Sequence, residues 1–297
     1  MPKLEIHPFS DEFRAEAAAL LSARHERHRR SEPLLPEIDD FAAQLPAGDG
    51  AVATRGGAAV AYLVAEVDGE RAAVGLAGCA AAEPEALRDL YAHLSTAWPP
   101  RHQVLVPASD AELIDPWFRL AFGCQFVTAV RETALTAVPA FGGTIRESTP
   151  DDLPDLAGLE RMLAVVQNGA PSFSGLDADD VDWEAEWATH WEQDCYPLHI
   201  VAELGGRVVG HVLLFDRPAG DLRVPEHNVD LALAGTLEDV RGRGVGVALT
   251  AYALSFASER GFRSMTIDWR SVNLLSSRFW PRRGFRPTFL RLYRAVP

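Results

Sequence analysis

Three stretches of the chain recur in the same order, and an ordered repeat restricts the fold more than any single motif does. Ile6-His-Pro-Phe-Ser-Asp-Glu-Phe13 and the helical run after it match Ile145-Arg-Glu-Ser-Thr-Pro-Asp-Asp-Leu153 and its helix. Val52-Ala-Thr-Arg-Gly-Gly-Ala-Ala-Val-Ala-Tyr62 matches Val201-Ala-Glu-Leu-Gly-Gly-Arg-Val-Val-Gly-His211. Phe118-Arg-Leu-Ala-Phe-Gly123 matches Phe279-Trp-Pro-Arg-Arg-Gly284. Two related domains are therefore expected, 1–138 and 144–297, joined near Val138-Pro-Ala-Phe-Gly-Gly143, where Pro and Gly cluster as in linkers.

Each half reads as strand, helix, hairpin, strand, helix, strand, helix, strand. The Gly-Gly pairs at 56–57 and 205–206, flanked by alternating residues, predict two tight hairpins. Asp11 to Arg30 carries Phe13, Ala17, Leu20 and Leu21 on one helical face. Strands and helices in this order predict an α/β (α+β) domain, with helices covering a central sheet. The 47% of hydrophobic residues supplies a core, and no apolar run approaches the roughly 20 residues of a membrane span. The N-terminus lacks the basic-then-apolar pattern of a secretory signal. Cys79, Cys124 and Cys195 are scattered, which predicts free thiols and a cytoplasmic location. A net charge of −14 disfavours nucleic acid and membrane as partners and is compatible with a cationic substrate.

The segment 230–294 carries the chemistry. Leu231-Ala-Leu-Ala-Gly-Thr236 reads as a short strand, Leu237-Glu-Asp-Val240 as a turn, and Arg241-Gly-Arg-Gly-Val-Gly246 as the opening of a helix. That helix has Val245, Ala248, Leu249, Tyr252 and Phe256 on one face and stops at Gly261. A glycine-rich turn at a helix N-terminus converges backbone N–H groups on an anion. A Rossmann fingerprint fits poorly this late in the chain, and no Lys-Ser or Lys-Thr follows for a Walker loop. Lys3 is the only lysine, so lysine catalysis is removed from both halves.

Arg241-x-x-Gly244-x-Gly246 resembles the acetyl-coenzyme A pyrophosphate loop of the GNAT superfamily of N-acetyltransferases. Arg263-Ser-Met-Thr-Ile-Asp-Trp269 resembles the strand that follows, and Asn273 with Phe279 and Gly284-Phe285 resembles that family's closing signature. The resemblance covers about 145–297 and reaches the first half by the repeat alone. It implies two tandem GNAT-like domains, in an arrangement resembling the mycothiol synthase type. Each would be a mixed, mostly antiparallel sheet flanked by helices. It also implies acetyl-CoA as cosubstrate without a metal, and direct transfer of the acetyl group to a primary amine. Ala234, Gly235 and Thr236 would hold the pantetheine arm, with the Thr236 backbone polarising the thioester carbonyl. Arg241, Gly242, Arg243, Gly244, Val245 and Gly246 would hold the pyrophosphate. Asn273 would touch the coenzyme, cap a helix, or both. Trp280 stands where the family usually has the Tyr that protonates the thiolate, so the acid is open between Tyr252, Tyr293, water and none. Asp268 is the candidate base, with Asp230, His227 and Glu238 in reserve. The first half has Cys79-Ala-Ala-Ala-Glu-Pro-Glu85 where the loop would lie, and acidic residues with a proline suit a pyrophosphate badly. It therefore reads as a degenerate domain without productive CoA binding.

Between Arg161 and Arg207 there is no Lys or Arg, while Asp179, Asp180 and Asp182 lie beside Trp183, Trp187 and Trp191. Tryptophans four residues apart are a helical stripe, which packing or ligand binding explains. An acidic, aromatic lid at these residues would suit a small cationic molecule or a basic peptide end. The expected partner is such an amine, with the protein a monomer or homodimer. The alternatives are a non-catalytic acyl-CoA-binding or regulatory module, and transfer of a longer acyl group or to a thiol or hydroxyl.

Overall fold

A computed structural model describes residues 2–169, 179–188 and 195–296. The chain begins with β1 (Leu4–Pro8), α1 (Arg14–Ser31), α2 (Phe41–Gln44), β2 (Asp49–Arg55), β3 (Ala58–Asp68), β4 (Arg71–Val74) and β5 (Cys79–Ala81). It continues with α3 (Ala86–Leu94), β6 (Arg101–Pro107), α4 (Ala111–Arg119), β7 (Gly123–Glu132), β8 (Thr144–Glu147) and α5 (Leu153–Gly169). Next come α6 (Trp183–Ala188), β9 (Leu198–Leu204), β10 (Arg207–Phe215) and β11 (Asn228–Thr236). The last elements are α7 (Val245–Glu259), β12 (Ser264–Arg270), α8 (Leu274–Phe279) and β13 (Arg286–Ala295). Among the described residues no helix is long and apolar enough to cross a membrane.

Two compact units result, and they are not consecutive halves. The first takes in 1–127, 220–223 and 287–297, and the second 128–219 and 224–286. β13 from Pro287 onward therefore belongs to the first unit, and the end of β7 to the second. In the first unit the strand order is β1-β2-β3-β4-β6-β13, with β5 also on β3. In the second it is β7-β12-β11-β10-β9-β8. Each unit has one parallel pair, β4 with β6 and β11 with β12, among antiparallel neighbours. The mixed, mostly antiparallel sheets with flanking helices are those expected.

The repeat is visible in detail. Gly56 and Gly57 take φ of +62° and +86°, and Gly205 and Gly206 take +62° and +79°. These left-handed conformations match the right-handed twist of the hairpins they close. Both hairpins then carry one extra residue, Val60 in β3 and Val209 in β10, each the third residue of its strand. A bulge kept in place between two copies is a built feature of the strand, not a defect. The third sequence match is displaced by two residues in space. Ala121-Phe122, with φ of +63° at Ala121, corresponds to Gly284-Phe285, with φ of +85° at Gly284, each leading into a final strand. Both phenylalanines are buried.

The units differ where the chain leaves the fourth strand. In the first, β5 returns to β3, pairing Ala61 with Ala81 and Leu63 with Cys79. The buried Arg24 of α1 donates to the carbonyls of Leu76 and Cys79 and fastens the connecting loop. Around Arg24 lie His25 and His28, both with pKa values lowered chiefly by burial and further by the guanidinium. His28, edge-on to Phe289, falls to about 3. A depressed imidazole gives stability that is complete above pH 6.5 and is lost as pH falls toward 3. His28→Leu is accordingly expected to lose about 2 kcal/mol less stability than the parent between pH 6.5 and 5. Denaturant unfolding at the two pH values checks this; equal losses in both proteins would refute it.

Candidate active site

The second unit is organised by the divergence of two parallel strands. β11 and β12 pair from Asn228 opposite Ser264 to Leu231 opposite Ile267. A polar network ties them below the point of divergence. Asn228 Nδ2 donates to Thr266 Oγ1 at 2.7 Å, and Thr266 Oγ1 donates to Asp230 Oδ1 at 2.8 Å. Arg217 closes the network on Asp230 at 2.5 Å. Satisfied buried networks of this kind fix one arrangement of the strands they join. Past Leu231 a bulge follows, since Leu233 faces Leu213 while Leu231 faces Leu214, leaving Ala232 as the extra residue. Bulges raise local twist. Beyond it, Leu233 to Thr236 stay paired with β10, and their other edge turns into a gap.

The glycine loop lies at the end of that edge. Gly242 and Gly244 have φ of +81° and +88°, and Gly244 stands at the N-terminus of α7 with no side-chain cap. The first amides of a fifteen-residue helix are thus left for an anion. Gly246 sits one residue into α7, where a Cβ would stand in ordinary contact with the Phe279 ring, 3.5 Å away. Gly210 on β10 allows close approach, since its Cβ would fall 2.8 Å from the Gly235 carbonyl oxygen.

Edge and loop border one cavity of about 420 Å³, a volume usual for cofactor sites. Ala234, Gly235, Thr236, Arg241, Gly242, Gly244, Val245, Gly246, Asn273 and Trp280 all line it. Arg243 is exposed beside it. Asn273 caps α8, accepting from Leu275 N at 3.1 Å and Ser276 N at 3.3 Å, while also reaching the cavity. Trp280 is buried between Phe279 and Phe285, edge-on to both, and supplies no proton. Arg241 is 3.6 Å from Glu238. An open backbone edge, glycines in left-handed turns and a capless helix N-terminus fit a coenzyme bearing an amide arm and a pyrophosphate.

The other predicted residues are spread more widely. Asp268 is exposed on β12 between the buried Ile267 and Trp269, and is not a lining residue. Tyr293 lies on β13, opposite Gln103 in the first unit. Asp179 pairs with Arg161 at 2.6 Å, Asp182 Oδ1 accepts from Ala185 N at 3.1 Å, and Asp180 is exposed. Trp183 and Trp187 are core residues, 9% and 1% exposed, so packing explains that part of the stripe. Trp191 and the acidic residues at 177, 192 and 194 fall outside the described residues.

Two groups escape a reading of the sequence. Glu160 of α5 has its pKa pushed up to about 7 by burial and then by Glu186, against the pull of Arg270, and its Oε2 is buried without a hydrogen bond. His211 of β10 lines the cavity. The one signal for His211 is a lone imidazole within Val-Val-Gly-His-Val-Leu-Leu, an otherwise apolar strand.

Residues 164–285 match the model of the Acetyltransferase (GNAT) family. A GCN5-related N-acetyltransferase from Sphaerobacter thermophilus is similar in structure at 14% identity, over 98% of this chain and 95% of that one, with a TM-score of 0.60. A glucosamine N-acetyltransferase region of a fungal multi-domain β-N-acetylglucosaminidase is similar at 16% identity, with a TM-score of 0.52. There the match covers 99% of this chain and 38% of the other. At these identities the likeness is one of fold. No curated protein matches the sequence.

Proposed function

We propose, from the match of residues 164–285 to the GNAT acetyltransferase family, that the second unit moves an acetyl group from acetyl-CoA to a primary amine. The observation that carries this is the meeting of the open β11 edge and the glycine loop in one cavity. Ala234 to Thr236 offer backbone groups to an amide arm, and an N–H there can polarise the thioester carbonyl. Gly242 to Gly246 offer amides to a pyrophosphate, with Arg241 alongside. The amine attacks directly, so no side chain need become acetylated.

The acceptor is a small cationic molecule or a basic peptide end. The net charge of −14 and the acidic stretch around α6 support this through long-range attraction. The first unit is a degenerate copy without a coenzyme site. Glu83 and Glu85 flank the start of α3, where a pyrophosphate would meet negative charge. Trp280, in a place where a tyrosine would protonate the thiolate, favours a second reading in which the unit binds acyl-CoA without turnover.

Calorimetric titration of acetyl-CoA, followed by thiol release over a panel of amines, separates these. A micromolar Kd is expected, or about −8 kcal/mol. Binding with turnover supports acetyl transfer, and binding without it supports the non-catalytic module. Absence of binding overturns both.

A further inference from the structure

A transferase of this type must take a proton from an ammonium group, so the cavity wall has to be asked which side chain accepts it. Twenty-two described residues line the cavity, and of these only His211 and Arg241 titrate. Arginine keeps its proton throughout the physiological range. His211 is thus the one lining side chain able to accept a proton near neutral pH. It is 1% exposed, and β-register sets it opposite Gly235, in the middle of the open edge. Its Nε2 lies 3.4 Å from where a Cβ would stand on Gly235, so the glycine leaves the imidazole uncovered toward the edge.

A second imidazole stands beside it. His199 of β9 pairs with Leu213 while His211 pairs with Val201, which makes the histidines diagonal neighbours on one face. Their ring centroids are 5.9 Å apart. Trp187 of α6 stacks on His199 at 4.8 Å and meets His211 edge-on at 5.5 Å, holding both rings. His199 is half-buried as a residue, but both of its ring nitrogens are buried, so its part is to fix the neighbouring ring, not to reach solvent.

We infer that His211 is the base that deprotonates the acceptor amine, with His199 as the positioning partner that, with Trp187, holds its ring; this rests on the acetyl-transfer reading above. The imidazole nitrogen of His211 takes one proton from R–NH3+ and becomes imidazolium. The freed nitrogen lone pair forms the C–N bond at the thioester carbonyl, and the C–S bond breaks with its electron pair on sulfur. The proton still on the new amide nitrogen goes to the thiolate, while the first leaves the imidazolium for water entering the cavity that His211 lines. One proton is released per turnover. Other ionisable groups on the surrounding elements are Arg207 of β10, Glu203 of β9, held by Arg146, Asp230 of β11, held by Arg217, Asp155, Glu160 and Arg161 of α5, Glu184 and Glu186 of α6, Asp268 and Arg270 of β12, and Arg278 of α8. α7 carries no charged side chain before Glu259.

The test uses the full chain with spermidine, cadaverine and lysyl-alanine as acceptors. Wild-type kcat/KM is expected to rise with pH through one ionisation and then level. His211→Gln is expected to lose about 10²–10⁴-fold in kcat and the levelling, the usual scale for a missing base. Its Kd for acetyl-CoA is expected to stay within about threefold, a change of roughly 0.7 kcal/mol. His199→Gln is expected to move the ionisation with a smaller loss. As a measurement needing no variant, the His211 ring resonances are expected to shift when acetyl-CoA saturates the wild type. Unmoved resonances, or a His211→Gln profile equal to wild type, would overturn the base while leaving the transferase reading intact. Wild-type turnover with none of the acceptors overturns the base, and wild-type protein that binds no acetyl-CoA overturns the transferase reading itself.

Discussion

Gly244→Glu is expected to weaken acetyl-CoA binding by more than about 100-fold, or roughly 2.7 kcal/mol. Two effects add. At φ of +88° a side chain is strained, by about 1–2 kcal/mol. A carboxylate at the head of α7 also sets negative charge against the pyrophosphate and competes for the same amides. Gly244→Ala separates the two, because it carries the strain without the charge and is expected to lose about tenfold in affinity, roughly 1.4 kcal/mol. Space is not the difficulty, as the nearest atom to a new Cβ is Phe141 Cβ at 3.8 Å. Calorimetry on the three proteins checks the ordering. Equal affinity in wild type and the glutamate variant would remove the loop from the coenzyme site.

Glu160→Gln is expected to stabilise the protein, with a gain that depends on pH. The carboxyl is raised from an ordinary 4.5 to about 7, chiefly because burial disfavours its charge. A raised carboxyl helps the fold below pH 4.5 and loses that help as pH climbs through 7. Each pK unit is worth about 1.4 kcal/mol, so ionising Glu160 inside the fold costs about 3 kcal/mol above pH 7. Glutamine removes that cost and keeps the shape. The gain in Tm should be near zero at pH 4.5 and on the order of 10 °C at pH 8. A gain of the same size at both pH values would show that the charge is not the cause.

What the sequence disclosed was local. A Gly-Gly pair fixes a hairpin, and Gly242 and Gly244 fix a turn into a helix, because the conformations demanded there favour glycine. Residues 234–236 are named through the family resemblance, and they line the cavity. What stayed hidden was set across strands. His211 faces Gly235 only through the register of β10 on β11. Asp268 lies away from the cavity lining because β11 and β12 separate just before it, after Leu231 and Ile267. Neither event has a signature within a window of sequence. The tryptophans illustrate the same limit, since spacing shows that Trp183 and Trp187 share a helix face but not that the face is packed. The unit boundary was hidden for a similar reason, because a strand's partner need not be near it in the chain.

The membership of β13 in the first unit bears on how this protein comes to exist during synthesis. Phe289 and Leu292, fully buried in the first unit's cores, are translated after every residue of the second unit. Residues 1–127 therefore emerge first and wait with a core that lacks two of its large side chains and a sheet that lacks the partner of β6. The usual vectorial order, in which an N-terminal domain folds before the next is made, is closed to it. The first unit, although translated first, completes its sheet only once residues 287–297 are made.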